Sequence, residues 1–421
     1  MDTDYRRAIV YMINKNDLRL NILLLMMIFV SWQNFQIGGV YFFIIFELLY
    51  CIISFFCKNK KILLSTSKII NWCFILLIIS AICGYLSNLP DTYKSYSITM
   101  TIILLPTYFF YTYLLDDLKK KKITLDKIVE ALKTGFLIQI CYLPFQFFMY
   151  HIWEIDLNDV IFVKLLHLMN NASFIRQGTY YPSGFTWHSA LLAPMLVLSF
   201  VLFQSSVVRG IIIMDSFICG NNTALLGVAF IMFVLACKSI KDNKISRNRV
   251  IAISVAVITA MLAFNQIIKK VTYIIYRIIY ANLDSSSRAH LSYYTLYPDI
   301  IKKSNIINVL FGTGYATSGH AITQMNGQYM SLAHWAVESD LIDILISRGM
   351  IGFLIYFGLL LYIAFKGKNI NYKYFIVILA FCIQGITYNV QFEYVFMIEL
   401  VMYSAVVLNQ DLFKKRRKCY E

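Results

Sequence analysis

From Leu18 to Asn409 the chain is a succession of apolar runs separated by short polar breaks. A helix that crosses a bilayer needs about 20 apolar residues, within a range of roughly 17–25. Windows of that kind give about twelve candidates, near 18–36, 38–57, 69–87, 97–115, 131–150, 188–204, 207–220, 222–237, 250–268, 341–365, 374–389 and 392–409. The seventh and eighth are short and are broken by Gly220-Asn221-Asn222, so they are also readable as one interrupted hairpin. Composition agrees with this pattern. The chain is 59% hydrophobic and 14% charged, where soluble domains average roughly 45–50% and about 25%. A mean hydropathy of +0.64 excludes a water-soluble globular protein, and 6 Pro with 18 Gly in 421 residues exclude a fibrous or disordered one. The expected fold is all-α: residues 1–421 form a single polytopic membrane domain.

Charge orients the spans. The net charge is +15, from 38 Lys+Arg against 23 Asp+Glu. The cations cluster in alternate loops: Arg6, Arg7, Lys15 and Arg19; Lys58, Lys60, Lys61 and Lys68; Lys119 to Lys122; Lys238, Lys241, Lys244 and Arg247; Lys366, Lys368 and Lys373; and the tail Lys414 to Lys418. The intervening short loops are nearly free of them. Cytoplasmic loops hold the excess Lys and Arg, so the alternation places both termini in the cytoplasm. Since this accounts for the positive balance, no nucleic-acid partner is implied. The polar start lacks a cleavage-site pattern, so no cleavable signal peptide is expected.

Two external segments break the short-loop pattern, about 151–187 and about 266–338. Loops this long are uncommon in compact proteins unless they carry function. The second opens with NQIIKKVTYIIYRIIYANL, whose isoleucines recur at helical spacing beside Lys269, Lys270 and Arg277. It reads as an amphipathic helix at the membrane face, serving as an interfacial anchor or as a basic wall for an anionic lipid-linked substrate.

Nucleotide and hydrolase motifs are missing: there is no Walker A, G-x-G-x-x-G, H-E-x-x-H or G-x-S-x-G. Nine cysteines show no C-x-x-C and mostly sit in apolar runs. They imply neither disulfides nor a zinc site, and no cofactor or metal is expected. The candidate residues lie in the long segments. Arg288 precedes Gly312-Thr313-Gly314, where two glycines let backbone turn sharply or approach a ligand. His334, Glu338 and Asp340 gather where the chain re-enters the membrane. A carboxylate at that mouth is suited to act as a general base, or merely favours a helix N-terminus. Arg176 precedes the sixth span. Within spans, Glu47, Asp215, Asp343, Arg348, Glu393 and Glu399 are ionisable. Such residues glue helices together or mark a proton or ion path, and Arg348 is expected to pair with one of the acids.

Arg176 ahead of PSGFTWHSALLAP, Arg288 ahead of GTG, and ESDLIDILISRGMIG opening a span together carry a resemblance. From about residue 170 to 365 the chain resembles the bacterial oligosaccharide repeat-unit polymerases of the O-antigen and capsule pathways, relatives of the O-antigen ligases. The earlier spans match only in general character. The family's second large loop carries an Arg, a G-x-G, an acidic or His position and a G-x-x-G span, which fall here on Arg288, Gly312 and Gly314, Glu338, and Gly349 with Gly352. Ligases carry a His-Asn pair where this chain has Glu338-Ser339, which favours a polymerase. The family's Ser-Arg-Thr in a middle span is replaced by Asn221-Asn222-Thr223, so that Arg is absent.

The resemblance implies a GT-C-like membrane glycosyltransferase that works without metal. Its substrates would be oligosaccharides carried on undecaprenyl pyrophosphate, with the lipid bilayer as solvent and a chain-length regulator protein as an optional further partner. Arg176 and Arg288 would hold the pyrophosphate, Gly312 and Gly314 would position the loop, and Glu338 would activate the attacking hydroxyl, with Asp340 or His334 as alternates. The competing readings are an O-antigen ligase and a lipid-linked oligosaccharide flippase or transporter. Long external loops favour the enzyme; the intramembrane acids favour the carrier.

Overall fold

The computed structural model describes residues 18–57, 68–86, 91–170, 175–176, 179–241, 285–326 and 337–408. It is mostly helical, with sixteen helices among the described residues. The first stretch holds α1 (Leu18–Phe29), α2 (Phe42–Cys57), α3 (Lys68–Tyr85), α4 (Asp91–Ile103), α5 (Leu105–Lys119) and α6 (Leu125–Trp153). The middle holds α7 (Leu192–Leu202), α8 (Ser206–Ile218) and α9 (Asn222–Lys241). The last described stretches hold α10 (Ser285–Lys303), α11 (Ile306–Phe311), α12 (Ser318–Asn326), α13 (Asp340–Ser347), α14 (Gly349–Lys368), α15 (Tyr372–Thr387) and α16 (Tyr394–Val407).

Three of these are long and apolar enough to cross a membrane: Ser97–Lys119, in which α4 runs on into α5, then α6, and then α14. The others that coincide with apolar windows are shorter. Each window outlined from the sequence carries a helix except 250–268, which lies outside the described residues, as does the amphipathic stretch that opens the second long segment. Two windows are more broken than their composition suggests, while the break expected at Gly220-Asn221-Asn222 is found there. The run 18–36 stops being helical at Phe29 and leads into a hairpin, β1 (Gln36–Ile37) with β2 (Val40–Tyr41), antiparallel with Gln36 opposite Tyr41. The stretch around Gly220 separates two distinct helices, α8 and α9. The run 341–365 is interrupted at Arg348, between α13 and α14.

Local chemistry sets several helix ends. Thr124 caps α6 by accepting from Lys127 N, and Asn371 caps α15 by accepting from Lys373 N at 3.0 Å. Asn221 caps α9, its Oδ1 accepting from Thr223 N at 2.9 Å. Its Nδ2 donates to Ala190 O at 3.1 Å, tying α9 to the turn before α7. Each cap satisfies backbone N–H groups that a helix start leaves unpaired.

The main apolar core runs through α1, α2, α5, α6, α7, α9, α14, α15 and α16. Both long segments build small cores of their own against this bundle. In the first, Trp32, Phe162 and Phe185 pack together. Asn158 Nδ2 donates to Gly184 O at 2.8 Å, and Gly184 N donates to Gln146 Oε1 of α6 at 2.9 Å. In the second, Tyr293 and Ile300 of α10, Ile322 of α12, Val337, and Ile342 and Ile346 of α13 form one cluster. Neither segment is therefore a loose loop where it is described.

At the far ends of α1, α2 and α5 lies a buried ion pair. Arg19 NH2 meets Asp117 Oδ1 at 2.9 Å, Arg19 NH1 donates to Ser54 Oγ, and Tyr50 OH donates to Asp117 Oδ2 at 2.5 Å. Arg19 was grouped above with the orienting cations of the N-terminal tail. It is instead fully buried and bound to a neighbour 98 positions away.

Candidate functional site

The second long segment returns to the bundle through Val337, Glu338 and Ser339 and becomes α13 at Asp340. Four elements converge on this entry. The first is the Gly312-Thr313-Gly314 turn after α11. Thr313 N donates to Ile346 O and Gly314 N to Ser347 O, both at 2.9 Å, so the turn is stitched to the last turn of α13. Gly312 has φ +83°, and a Cβ there would sit 2.3 Å from the Ser347 carbonyl; Gly314 has φ +111°, and a Cβ would sit 2.0 Å from Ser97 Oγ. Both glycines are required by close approach, and what approaches them is the protein itself. Ser80 of α3 donates to Ser347 O at 2.8 Å and closes the same junction from the other side.

The second element is α12. Ser318 Oγ donates to Asp343 Oδ1 and accepts from Val337 N at 2.9 Å. The third is the turn Val390–Phe392 before α16. Gln391 Nε2 donates to Asp343 Oδ2 at 2.6 Å, its Oε1 accepts from Arg348 NH2 at 2.6 Å, and its backbone N donates to Asp340 Oδ1 at 3.3 Å. Asp340 packs on Gly385 of α15, where a Cβ would stand 2.7 Å from Asp340 Oδ2. The fourth is α10, whose Tyr294 OH lies 3.0 Å from Ser339 Oγ and donates to Ile386 O at 2.8 Å.

The expected pairing of Arg348 with an acid thus runs through an amide. Gln391 stands between Arg348 and Asp343, and the guanidinium lies over the rings of Tyr315 and Tyr356, 4.9 and 5.3 Å from their centroids. Asp343 accepts from Ser318, from Gln391 and, at 3.4 Å, from Ser347. Both of its oxygens are occupied, which is what a buried carboxylate requires. Asp340 is also buried. Glu338 is half-buried and is the most accessible of the three acids at the entry. Its charge reaches Tyr293 of α10, whose phenol is pushed up to about 12 by burial first and by Glu338 second.

The first long segment reaches the same end of the bundle. Glu393, at the start of α16, accepts from Tyr388 OH at 2.6 Å and lies beside Gln33, next to the hairpin. Asn34 N donates to Phe185 O at 2.8 Å. The other acids of the apolar helices are dispersed. Glu47 of α2 lies beside Thr107 of α5, Glu399 beside Tyr403 of its own helix, and both oxygens of buried Asp215 have no hydrogen-bond partner among the described residues.

Beside Arg348 the bundle opens into an apolar cavity of about 220 Å³, lined among others by Phe74, Leu77, Tyr111, Arg348, Ile355 and Tyr356. A second cavity of about 390 Å³ shares Phe74 and continues along α3 and α4 past Ile78, Ile82 and Ile102. Those isoleucines are 41%, 53% and 55% exposed, so this wall faces out of the bundle.

The structure brings Gly312, Gly314, Glu338 and Asp340 together. Arg288 lies on α10, the helix that carries Tyr293 and Tyr294, and Arg176 lies in a short hairpin, β3 (Ile175–Arg176) with β4 (Thr179–Tyr180). His334 lies outside the described residues. Gln391 and Ser318 belong to no motif, and the sequence marks Gln391 only as a polar residue between two apolar runs. No group of His, Cys, Asp and Glu that would hold a metal ion occurs among the described residues. No protein-family model matches the chain, and no curated protein matches it either.

Proposed function

We propose that the chain is a membrane glycosyltransferase that joins undecaprenyl-pyrophosphate-linked oligosaccharide repeat units into O-antigen or capsular polysaccharide. It would span a bacterial inner membrane about twelve times, with both termini cytoplasmic and the chemistry at the external face. The observation that carries this reading is that Arg348, bonded through Gln391 to the acid cluster, also lines an apolar cavity, which shares Phe74 with a second cavity whose wall faces out of the bundle. A substrate that is sugar at one end and isoprenoid at the other needs both environments within one molecule's reach.

In this reaction a hydroxyl on the non-reducing end of one repeat unit attacks the anomeric carbon of the chain on a second carrier. The new bond is C–O; the bond that breaks joins the anomeric carbon to the pyrophosphate oxygen. The hydroxyl proton passes to Glu338, with Asp340 or His334 as alternates, and the pyrophosphate leaves still attached to its lipid. Arg176 and Arg288 would stabilise the charge that develops on that leaving group, where positioned donors act most strongly. Gly312 and Gly314 serve by locking the second segment onto α13. The test is the surface polysaccharide of a deletion strain, run beside wild type and a complemented strain. A ladder that collapses to core bearing one repeat unit supports polymerisation. Loss of even the single unit favours a ligase or a flippase, and an unchanged ladder rejects all three.

A further inference from the structure

The hydrogen bonds around Gln391 have only one consistent polarity. Arg348 carries donors and no acceptor, so the amide oxygen of Gln391 must face it. The amide NH2 then faces Asp343, which must accept there. On its other oxygen Asp343 accepts from Ser318, whose Oγ in turn accepts from Val337 N, the residue before Glu338. The order Arg348, Gln391, Asp343, Ser318, Val337 is therefore a directed chain that runs from the start of α14 to the backbone that presents Glu338. Gln391 and Asp343 are both buried, so no water replaces a lost link without rearrangement.

We propose that Asp343 and Gln391 are a positioning pair. Their role is to fix the Val337–Ser339 backbone, and with it the Glu338 carboxylate, rather than to exchange protons with substrate. This rests on the polymerase reading, which assigns Glu338 to the reacting hydroxyl.

The polarity makes a sharp test. In the D343N variant the introduced amide puts a donor against Gln391 Nε2 or against Ser318. In Q391E the introduced carboxylate faces Asp343 with like charge. In the double variant D343N/Q391E the carboxylate sits at 391, accepting from Arg348 and from the amide now at 343. That amide's oxygen accepts from Ser318. Every link of the directed chain is restored, only the longer Ser347 contact at 3.4 Å being lost, and the net charge equals the parent's.

The full-length protein is expressed in the deletion strain, and polymer is measured per folded molecule; the purified protein is melted in detergent. Each single variant is expected to lose roughly a hundredfold in polymer per molecule, the scale of a small displacement of a catalytic group, and to melt lower. The double variant is expected to recover polymer to within about threefold and to recover the parent melting temperature. If the double variant stays as inactive as D343N while its melting temperature recovers, Asp343 reacts itself and the proposal falls. If the single variants lose only protein amount, with polymer per molecule unchanged, the pair is structural and the proposal also falls. Should deletion itself leave the polysaccharide unaltered, the polymerase reading fails instead. The melting cycle then still decides whether 343 and 391 are paired in this polarity.

Discussion

Arg19 and Asp117 form a fully buried ion pair at 2.9 Å between the start of α1 and the end of α5. With Tyr50 and Ser54 they join α1, α2 and α5 at the end of the bundle away from Glu338. Removing one partner strands the other charge in an apolar interior. R19M or D117N is expected to destabilise the protein by about 3–5 kcal/mol, whereas R19M/D117L should cost much less. Thermal melting of the three purified variants checks this; equal losses in all three would mean the pair contributes through packing alone.

The turn at Gly312 has no room for a side chain, because φ is +83° and the Ser347 carbonyl closes the space. G312A should cost about 1–3 kcal/mol in strain, more if the junction to α13 opens, and should reduce polymer as Glu338 moves. Gly358 of α14 has nothing within 4 Å of an added Cβ. G358A should be neutral or stabilising by about 0.5–1 kcal/mol. A G312A protein that melts with the parent would show that the turn is not clamped.

Among the acids, E338Q should remove polymer by at least about a hundredfold, the range general-base losses span, with protein levels held. Arg288→Ala should likewise abolish polymer at normal protein level. Unchanged chain lengths in either strain would take that residue out of the site.

Burial lowers the pKa of His320 on α12, in the second long segment. A histidine held neutral in the folded state binds its proton more readily when unfolded. Its contribution to stability is therefore complete above the unfolded pKa of about 6.5 and declines as pH falls through that value. Melting temperature should drop on acidification, and H320Q should drop less. Parallel pH curves for the two proteins would exclude His320 as the titrating group.

Reporter fusions test the orientation. A reporter active only outside the cytoplasm should be silent when fused after Lys121, in the turn that follows α5, and active when fused after Leu166, in the first long segment. Equal activity at both positions would overturn the charge-based topology.

Much of the helical layout was legible because apolar runs this long exceed the length of ordinary strands and so read as helices. Helix ends were less so. The break after Phe29 and the interruption at Arg348 follow from polar groups that find partners in distant segments, and window hydropathy does not register partners. The entry residues Glu338 and Asp340 stood out by their charge at the edge of an apolar run. Gln391 did not, since its importance comes from two neighbours 43 and 48 positions away.

Local properties were therefore in the sequence itself: a mostly helical chain, alternating cationic loops, two long segments, and glycines that turn the backbone between α11 and α12. Charge, hydropathy and turn chemistry belong to single residues and short windows. Tertiary structure alone decided which polar groups meet. It buried Arg19 against Asp117, placed an amide between Arg348 and Asp343, and set Gly312 against backbone. Hydrogen bonds act over about 3 Å, and only the packed helices bring residues so far apart in the chain within that distance.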